Sequence, residues 1–597
     1  MRCREISIPT ATTRNNESAN DTQMKILLIS TAFNGLTQRF YTELIDANYN
    51  VSVELHHGDN EKLLTGVNIF KPDLILCPFL TRHLSADIYK SYPCIIVHPG
   101  IKGDRSASSL DWAIQNNLSE WGVTLLQADE EMDAGDIWSS NTFPMRLATK
   151  SSIYNREVTE TSVKCLWEVL AHFESLDFTP EPLDYKKPDV KGRFQPFMKQ
   201  YDRCINWQAE TSDEIIRHIH AADGSPGVLD EIYGQAVFLY NAYKEPYLTG
   251  KAGDIIATAN QAICRATIDG AIWIGHLKRK VMTGAKTIKL PSTTILANLL
   301  PTEINNIEID YRKAGKQLPC QELWYSLEDR VAYLHFEFHN GAMNTQQCEL
   351  LLGMYQHIAT LPVKAIVLLG GADFWSNGIH LNTIEAAERS GDESWLNINA
   401  INDIIQQLIT TTDKLTISAM AGNSGAGGVM LALGADYILV RKGVIMNPYY
   451  KSMGDLFGSE YWTYCLPKRV GRKKAIEVTE QCLPISTVYA EKIGLVDKVL
   501  DNNHAIFYAQ VKRFAQLLIS DDVSLQAVLH KKSEKLHRDE SKKSLDLYRK
   551  EELKNMYVNF YGNDKYHKAR YCFVFKIPCG ETPSNIALHR KKQSPIV

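Results

Sequence analysis

The chain of 597 residues contains no uninterrupted run of the roughly 18 apolar residues that a membrane-spanning helix requires, so no membrane association through such a helix is expected. Its first residues also lack the apolar core of a secretory signal, and residues 1–23 read as a disordered lead upstream of Met24. The twelve cysteines are scattered, with no CxxC pair and no Cys/His cluster at ligand spacing. That pattern signals neither structural zinc nor a disulfide framework, no metal is expected, and a reducing cytoplasm fits best. Charge of one sign is missing too. With 65 basic and 69 acidic residues the net charge is −4, which gives no electrostatic footprint for nucleic acid. No internal repeat is present. What remains is a multidomain protein acting on small-molecule substrates, because a single core stops growing at about 250 to 300 residues.

The most informative segment that is present is Ala421-Gly422-Asn423-Ser424-Gly425-Ala426-Gly427-Gly428-Val429-Met430, which follows the apolar run from Leu415 to Met420. A strand, then glycines, then a helix start let backbone N–H groups and the positive end of the helix dipole approach a bound oxygen closely. That is the equipment of an oxyanion hole. Upstream, the apolar run from Ala365 to Gly371 leads into Phe374-Trp375-Ser376-Asn377-Gly378-Ile379-His380, a second strand end with a glycine turn. With Asn340-Gly341-Ala342-Met343-Asn344 and the segment Ile485 to Val496, these motifs resemble the crotonase (enoyl-CoA hydratase/isomerase) superfamily from about Val331 to Val499. The resemblance implies a coenzyme A thioester, with Ile379 and Gly427 supplying the oxyanion N–H groups and Gly378 and Gly428 beside them. Met430 stands where a hydratase has its first catalytic glutamate, and Tyr450 where the second falls. Water addition by paired carboxylates is therefore not expected. Tyr450 and Glu460, in Asn447-Pro448-Tyr449-Tyr450 and Gly458-Ser459-Glu460-Tyr461-Trp462, are the candidates for proton transfer. The competing reading makes the tyrosines packing residues and Glu460 a solvated helix start.

From Met24 onward, strand-like runs alternate with helix-like ones, which argues for an open, mostly parallel α/β sheet with a ligand at the strand C-terminal ends. One such end carries His98-Pro99-Gly100-Ile101-Lys102-Gly103-Asp104-Arg105. Further on come Gly122-Val123-Thr124 and Met132-Asp133-Ala134-Gly135-Asp136-Ile137. In this order the segments resemble the folate-dependent formyltransferases, whose catalytic histidine and aspartate fall on His98 and Asp133. That family's asparagine is replaced by Ile96, which removes an amide donor for the oxyanion and points to a different donor or a more reactive acceptor such as a thiol. Lys102 and Arg105 are candidates for binding phosphate or the glutamate tail of folate, with a solvated loop as the other reading.

Val163, Leu166, Trp167, Leu170 and Phe173 are spaced for one helical face. Segments from Ile205 to Leu277 resemble the C-terminal module of the same formyltransferases, a small β-barrel. The expected organisation is thus a formyltransferase-like α/β domain (24–180), the small barrel (194–300), a linker (301–321), a crotonase-like ββα spiral (322–520) and a helical C-terminal extension (521–597). The extension, the Asp104-Arg105 form of the formyltransferase loop, Ile96, Met430 and the Gly-Ser-Glu-Tyr-Trp run together resemble hydrogenase maturation factors of the HypX (HoxX) type, with Ser106 departing from a usual glycine. This resemblance implies two activities, with 10-formyltetrahydrofolate and coenzyme A as cofactors and other hydrogenase maturation proteins as partners. The first half would form formyl-coenzyme A and the second would expel carbon monoxide for nickel-iron hydrogenase. Two alternatives stay open: a formyl transferase or hydrolase whose second half only binds coenzyme A, and a non-catalytic maturation partner.

Overall fold

The computed structural model describes residues 23–175, 177–281, 285–578 and 582–593, so residues 1–22 of the expected lead lie outside the described residues. The first domain is a six-stranded sheet in the order Asn50–Leu55, Lys25–Ser30, Leu74–Cys77, Cys94–His98, Glu120–Gln127, Ile137–Pro144. Its first four strands pair in parallel and the last two are antiparallel. Side chains alternate across a strand, so Lys25–Ser30 places Ile26 and Leu28 in one apolar core and Leu27 and Ile29 in another. Helices therefore cover both faces. One of them, Thr159–Glu174, buries Val163, Leu166 and Leu170 as its spacing predicts, each burial contributing about 1.5–3 kcal/mol. Trp167, expected on that face, is instead 37% exposed, because it follows Leu166 by a single residue and points about 100° away around the helix.

A second sheet, antiparallel after its parallel first pair, runs Asn305–Asn306, Ile255–Ala259, Ala262–Ala266, Ala271–Arg279, Gln235–Glu245, Val228–Ile232. The helix Ser212–Ala222 covers it and begins with a capping box between Thr211 and Glu214. The stretch read as a linker is not wholly free of structure, since Asn305 and Asn306 pair with Ala257 and Thr258.

The third body has two sheets. The larger runs Leu323–Glu328, Val331–Phe336, Ala365–Gly370, Leu415–Met420, Tyr437–Arg441, Lys498–Leu500, parallel after its first pair. The smaller is the parallel trio Phe374–Ser376, Asn423–Gly425, Met446–Asn447. Each of its strands follows one strand of the larger sheet in sequence, so successive turns of the chain end beside one another at a common point. Four helices follow, His504–Ile519, Asp522–Lys542, Leu545–Tyr561 and Lys565–Val574. Residues 582–591 then return to the first domain, where the Val53 N–H on the sheet edge donates to the Ile586 carbonyl at 3.1 Å. The halves also meet directly: Arg39 donates to the Gly443 carbonyl at 2.6 Å, and Arg441 pairs with Glu160 at 3.2 Å. Cys572 is disulfide-bonded, a pairing the scattered cysteines did not signal. No helix among the described residues is long and apolar enough to cross a membrane.

Candidate active sites

His98 is the last residue of the strand Cys94–His98, and the turn after it is fixed through its carbonyls. Trp121 Nε1 and Ser109 Oγ both donate to the Pro99 carbonyl at 2.9 Å, and Thr124 Oγ1 donates to that of Gly100 at 2.9 Å. The imidazole is 3% exposed and lies between two carboxylates, with Nδ1 3.3 Å from Asp133 Oδ2 and Nε2 2.8 Å from Asp104 Oδ2. Burial works against a charged ring, but the two carboxylates outweigh it and hold the imidazole above its ordinary pKa. Burial raises the Asp133 carboxyl, with the nearby Asp104 charge adding to it against the pull of His98.

The structure thus brings His98 and Asp133 together, and it adds Asp104, which was quoted in the loop but given no role. Lys102 and Arg105 are near but engaged. Lys102 Nζ sits 2.8 Å from Glu181 and 2.7 Å from Asp189, while Arg105 reaches Glu131 at 2.9 Å and the Met132 carbonyl at 3.2 Å. An anionic ligand would have to displace those carboxylates. Ile96, on the same strand, offers no hydrogen bond from its side chain.

In the third body, Gly427 opens the helix Gly427–Leu433, so its N–H has no acceptor within the helix. The turn at Gly378 has φ of +75° and packs directly on that N-terminus: a Cβ at Gly378 would lie 3.3 Å from the Gly427 nitrogen. The Gly378 carbonyl is occupied by the Met343 N–H at 3.0 Å, and the Gly378 N–H by Ser376 Oγ at 3.1 Å, which fixes the peptide leading to Ile379. Trp375 Nε1 donates to the Gly428 carbonyl at 3.0 Å and ties the two strand ends together. Met430 is buried in the core with no polar neighbour role to play.

Glu460 comes to the same place. A Cβ at Gly427 would lie 2.0 Å from Glu460 Oε1, so this carboxyl is in contact with the glycine that opens the helix. Its other oxygen accepts from Tyr450 Oη at 2.9 Å and from the Ser459 N–H at 2.9 Å. Glu460 is 2% exposed, far from the solvated helix start considered as an alternative, and burial pushes its carboxyl up to about 7. Burial, then the Glu460 charge, pushes the Tyr450 phenol well above its usual value. One proton is therefore held between a weak phenol and a weakened acid.

Two further residues were not legible beforehand. Asn402 Oδ1 accepts from the Glu460 N–H at 2.8 Å, and Glu552 accepts from the N–H groups of Tyr461 at 3.0 Å and Thr463 at 2.9 Å. Together they hold Glu460 and Tyr461 at φ of 61° and 56°. Asn402 carried no signal within its helix. Glu552 lay in the expected helical extension, with no role assigned to it.

Family models match three segments of the chain: formyl transferase over residues 39–170, the formyl transferase C-terminal domain over 198–290, and enoyl-CoA hydratase/isomerase over 329–578. The chain is 27% identical to methionyl-tRNA formyltransferase from Streptococcus equi subsp. equi over 175 residues, 28% of this chain and 52% of that protein. It is 42% identical over 574 residues to hydrogenase maturation factor HoxX of Bradyrhizobium diazoefficiens, covering 96% of this chain and 98% of the relative. The crystal structure of HypX from Aquifex aeolicus in complex with tetrahydrofolic acid matches with a TM-score of 0.89 and 42% identity, over 95% of this chain and 99% of that one. With likeness at that level across almost the whole length, and both sites built on matching domains, the chain belongs to the HypX (HoxX) family of hydrogenase maturation factors.

Proposed function

We propose that this protein makes carbon monoxide from 10-formyltetrahydrofolate by way of formyl-coenzyme A, for the iron of nickel-iron hydrogenase, and that it works in the cytoplasm. The observation that carries the reading is the Tyr450–Glu460 pair, 2.9 Å apart, placed against the Gly427 helix start where Met430 leaves no hydratase acid. In the first half, the thiol of coenzyme A attacks the formyl carbon, the C–N10 bond breaks, and the thiol proton ends on N10. His98 and Asp133 handle charge and proton there. In the second half the thioester oxygen accepts from the N–H groups of Ile379 and Gly427. The formyl hydrogen leaves as a proton to the Tyr450–Glu460 pair, the C–S bond breaks, and the departing thiolate takes a proton from the same pair, releasing carbon monoxide and regenerating coenzyme A. No water is consumed, which suits a buried site.

Charges between the two halves favour a ligand bearing several phosphates. Lys150, Lys278, Lys289 and Lys576 come from three parts of the chain; burial lowers Lys289, with Lys576 and Lys278 adding to it against the pull of Asp223, and burial then Lys278 and Lys150 lower Lys576. Arg156, in the turn Tyr154–Val158, has a buried Nε without a hydrogen-bond partner. The folate assignment is supported by the tetrahydrofolic acid held in the Aquifex aeolicus relative. The test is to incubate the purified protein with 10-formyltetrahydrofolate and coenzyme A and trap gas with a haem protein. His98→Ala should stop folate consumption, whereas Tyr450→Phe should stop carbon monoxide release while tetrahydrofolate still forms. Equal loss of both activities in both variants would contradict this division of labour.

A further inference from the structure

One imidazole lies between a buried carboxylate, Asp104, and a partly buried one, Asp133, and proton shuttling by His98 and Asp133 does not require Asp104. Asp104 is 2% exposed, and its Oδ1 has no hydrogen-bond partner, so its whole polar contact with side chains is Oδ2 on His98 Nε2. Its position is imposed by the backbone. The Asp104 N–H donates to the Ile101 carbonyl at 2.9 Å, and Gly192 is packed so tightly on this loop that a Cβ there would lie 2.0 Å from the Asp104 nitrogen. Gly100 leaves just enough room, since a Cβ on it would lie 2.2 Å from His98 Nε2 and 2.6 Å from Asp104 Oδ2.

We propose that Asp104 is a positioning residue for formyl transfer, whose carboxylate, set opposite Asp133 across the His98 ring, keeps that ring doubly protonated and its positive charge beside the oxyanion of the tetrahedral intermediate. The inference rests on the formyl-transfer reading of this site. The side chain of Ile96 can donate nothing to such an oxyanion, so charge has to come from elsewhere. The charged groups around the ring are Asp104 and Asp133, with Arg105 beyond Asp133 and itself paired to Glu131. A neutral ring would leave two like charges facing each other across it, and a protonated ring removes that repulsion. Asp133, whose carboxyl burial makes easier to protonate, takes the thiol proton and returns it to N10 as the C–N bond breaks. His98 then ends each turnover as it began it.

Asp104→Asn keeps an acceptor for Nε2 and removes the charge. In the variant the His98 ring, followed by nitrogen NMR, should titrate about one pH unit lower or more. Tetrahydrofolate formation at about pH 8 should fall by a factor of about ten to a hundred in kcat and recover toward lower pH, with little change in KM. Asp104→Glu should restore part of the rate. An unchanged His98 titration in folded Asp104→Asn, or a rate loss that does not vary with pH, overturns the proposal. Should the variant not fold, the wild-type ring decides: a midpoint below about 6.5 overturns it and one well above supports it. The titration needs no turnover, so an absence of folate consumption in the wild type defeats the formyl-transfer reading and leaves the charge of His98 measured independently.

Discussion

Gly427 is the residue at which the crotonase-like site can be probed by moving its acid without replacing it. A methyl group there would lie 2.0 Å from Glu460 Oε1, the end of a side chain that can give way, whereas at Gly428 it would lie 2.0 Å from the Ser376 carbonyl, which is backbone and cannot. Gly427→Ala should therefore fold, displace Glu460, and lower carbon monoxide release by about a hundredfold while tetrahydrofolate still forms. Gly428→Ala should fail to accumulate as folded protein, measured by yield and circular dichroism. At this scale much was legible. Gly427 and Ile379 announce themselves because a glycine turn at a strand end is a local pattern, and Met430 and Tyr450 stand out against it. His98 was legible for the same reason. Asp104 was visible as a letter but not as a partner, because nothing local says that a loop folds back on the ring six residues behind it.

Among the elements, the helix Leu545–Tyr561 does the most for the site without carrying a reacting group. Its Glu552 is fully buried, accepts from the backbone of Tyr461 and Thr463 and from the Thr463 hydroxyl at 2.5 Å, and so holds the turn that presents Glu460. Glu552→Ala leaves these donors buried and unmet, which should destabilise the third body by about 3 kcal/mol, read as a lower unfolding midpoint. The pH dependence has a definite sign. Burial raises Glu552 from 4.5 to about 7, so the folded state holds the proton more tightly than the unfolded chain. Its contribution is complete below about pH 4.5 and is lost as pH rises to about 7. Glu552→Gln should flatten the fall in thermal midpoint across that window. Periodicity and charge placed a helix in this part of the chain, and the structure resolves the charge-rich stretch into Asp522–Lys542 and Leu545–Tyr561. They could not single out Glu552, since which residue of a packed helix is buried depends on the surface it meets.

Across the whole molecule, the end of the chain fastens the two halves. Asn585 donates to the Gln481 carbonyl of the third body at 2.8 Å, Ile586 enters the core of the first domain, and His589 lies between Ser52 Oγ and Glu54 Oε1, each at 2.6 Å. Arg590 Nε also reaches Glu54 at 2.6 Å. Burial alone would raise Glu54, but the bonds from His589 and Arg590 prevail and hold it below its usual value. Its stabilising effect is therefore present above about 4.5 and lost as pH falls through its lower folded value. Glu54→Ala should destabilise the docking of the tail, because it takes the carboxylate from buried His589 and half-buried Arg590, and should hasten proteolytic release of the tail at neutral pH. A tail as readily released as in the wild type would contradict this. Basic residues at the chain end read as a solvated face; only the folded sheet edge at Val53 gives them a place.

The sequence by itself determined what depends on neighbours in the chain: strands and helices in order, the open α/β and ββα architectures, and the backbone turns at His98, Gly378 and Gly427. It also fixed what the second site is not, because Met430 cannot carry a proton wherever it lies. Only the tertiary structure decided which carboxyls are buried and what each of them meets. Asp104 on His98, Glu460 against Gly427, Glu552 beneath it and Glu54 under the tail owe their character to burial and to partners that folding alone brings within 3 Å, up to 535 residues along the chain. Desolvation and charge pairing act through space, and space is what a linear sequence does not record.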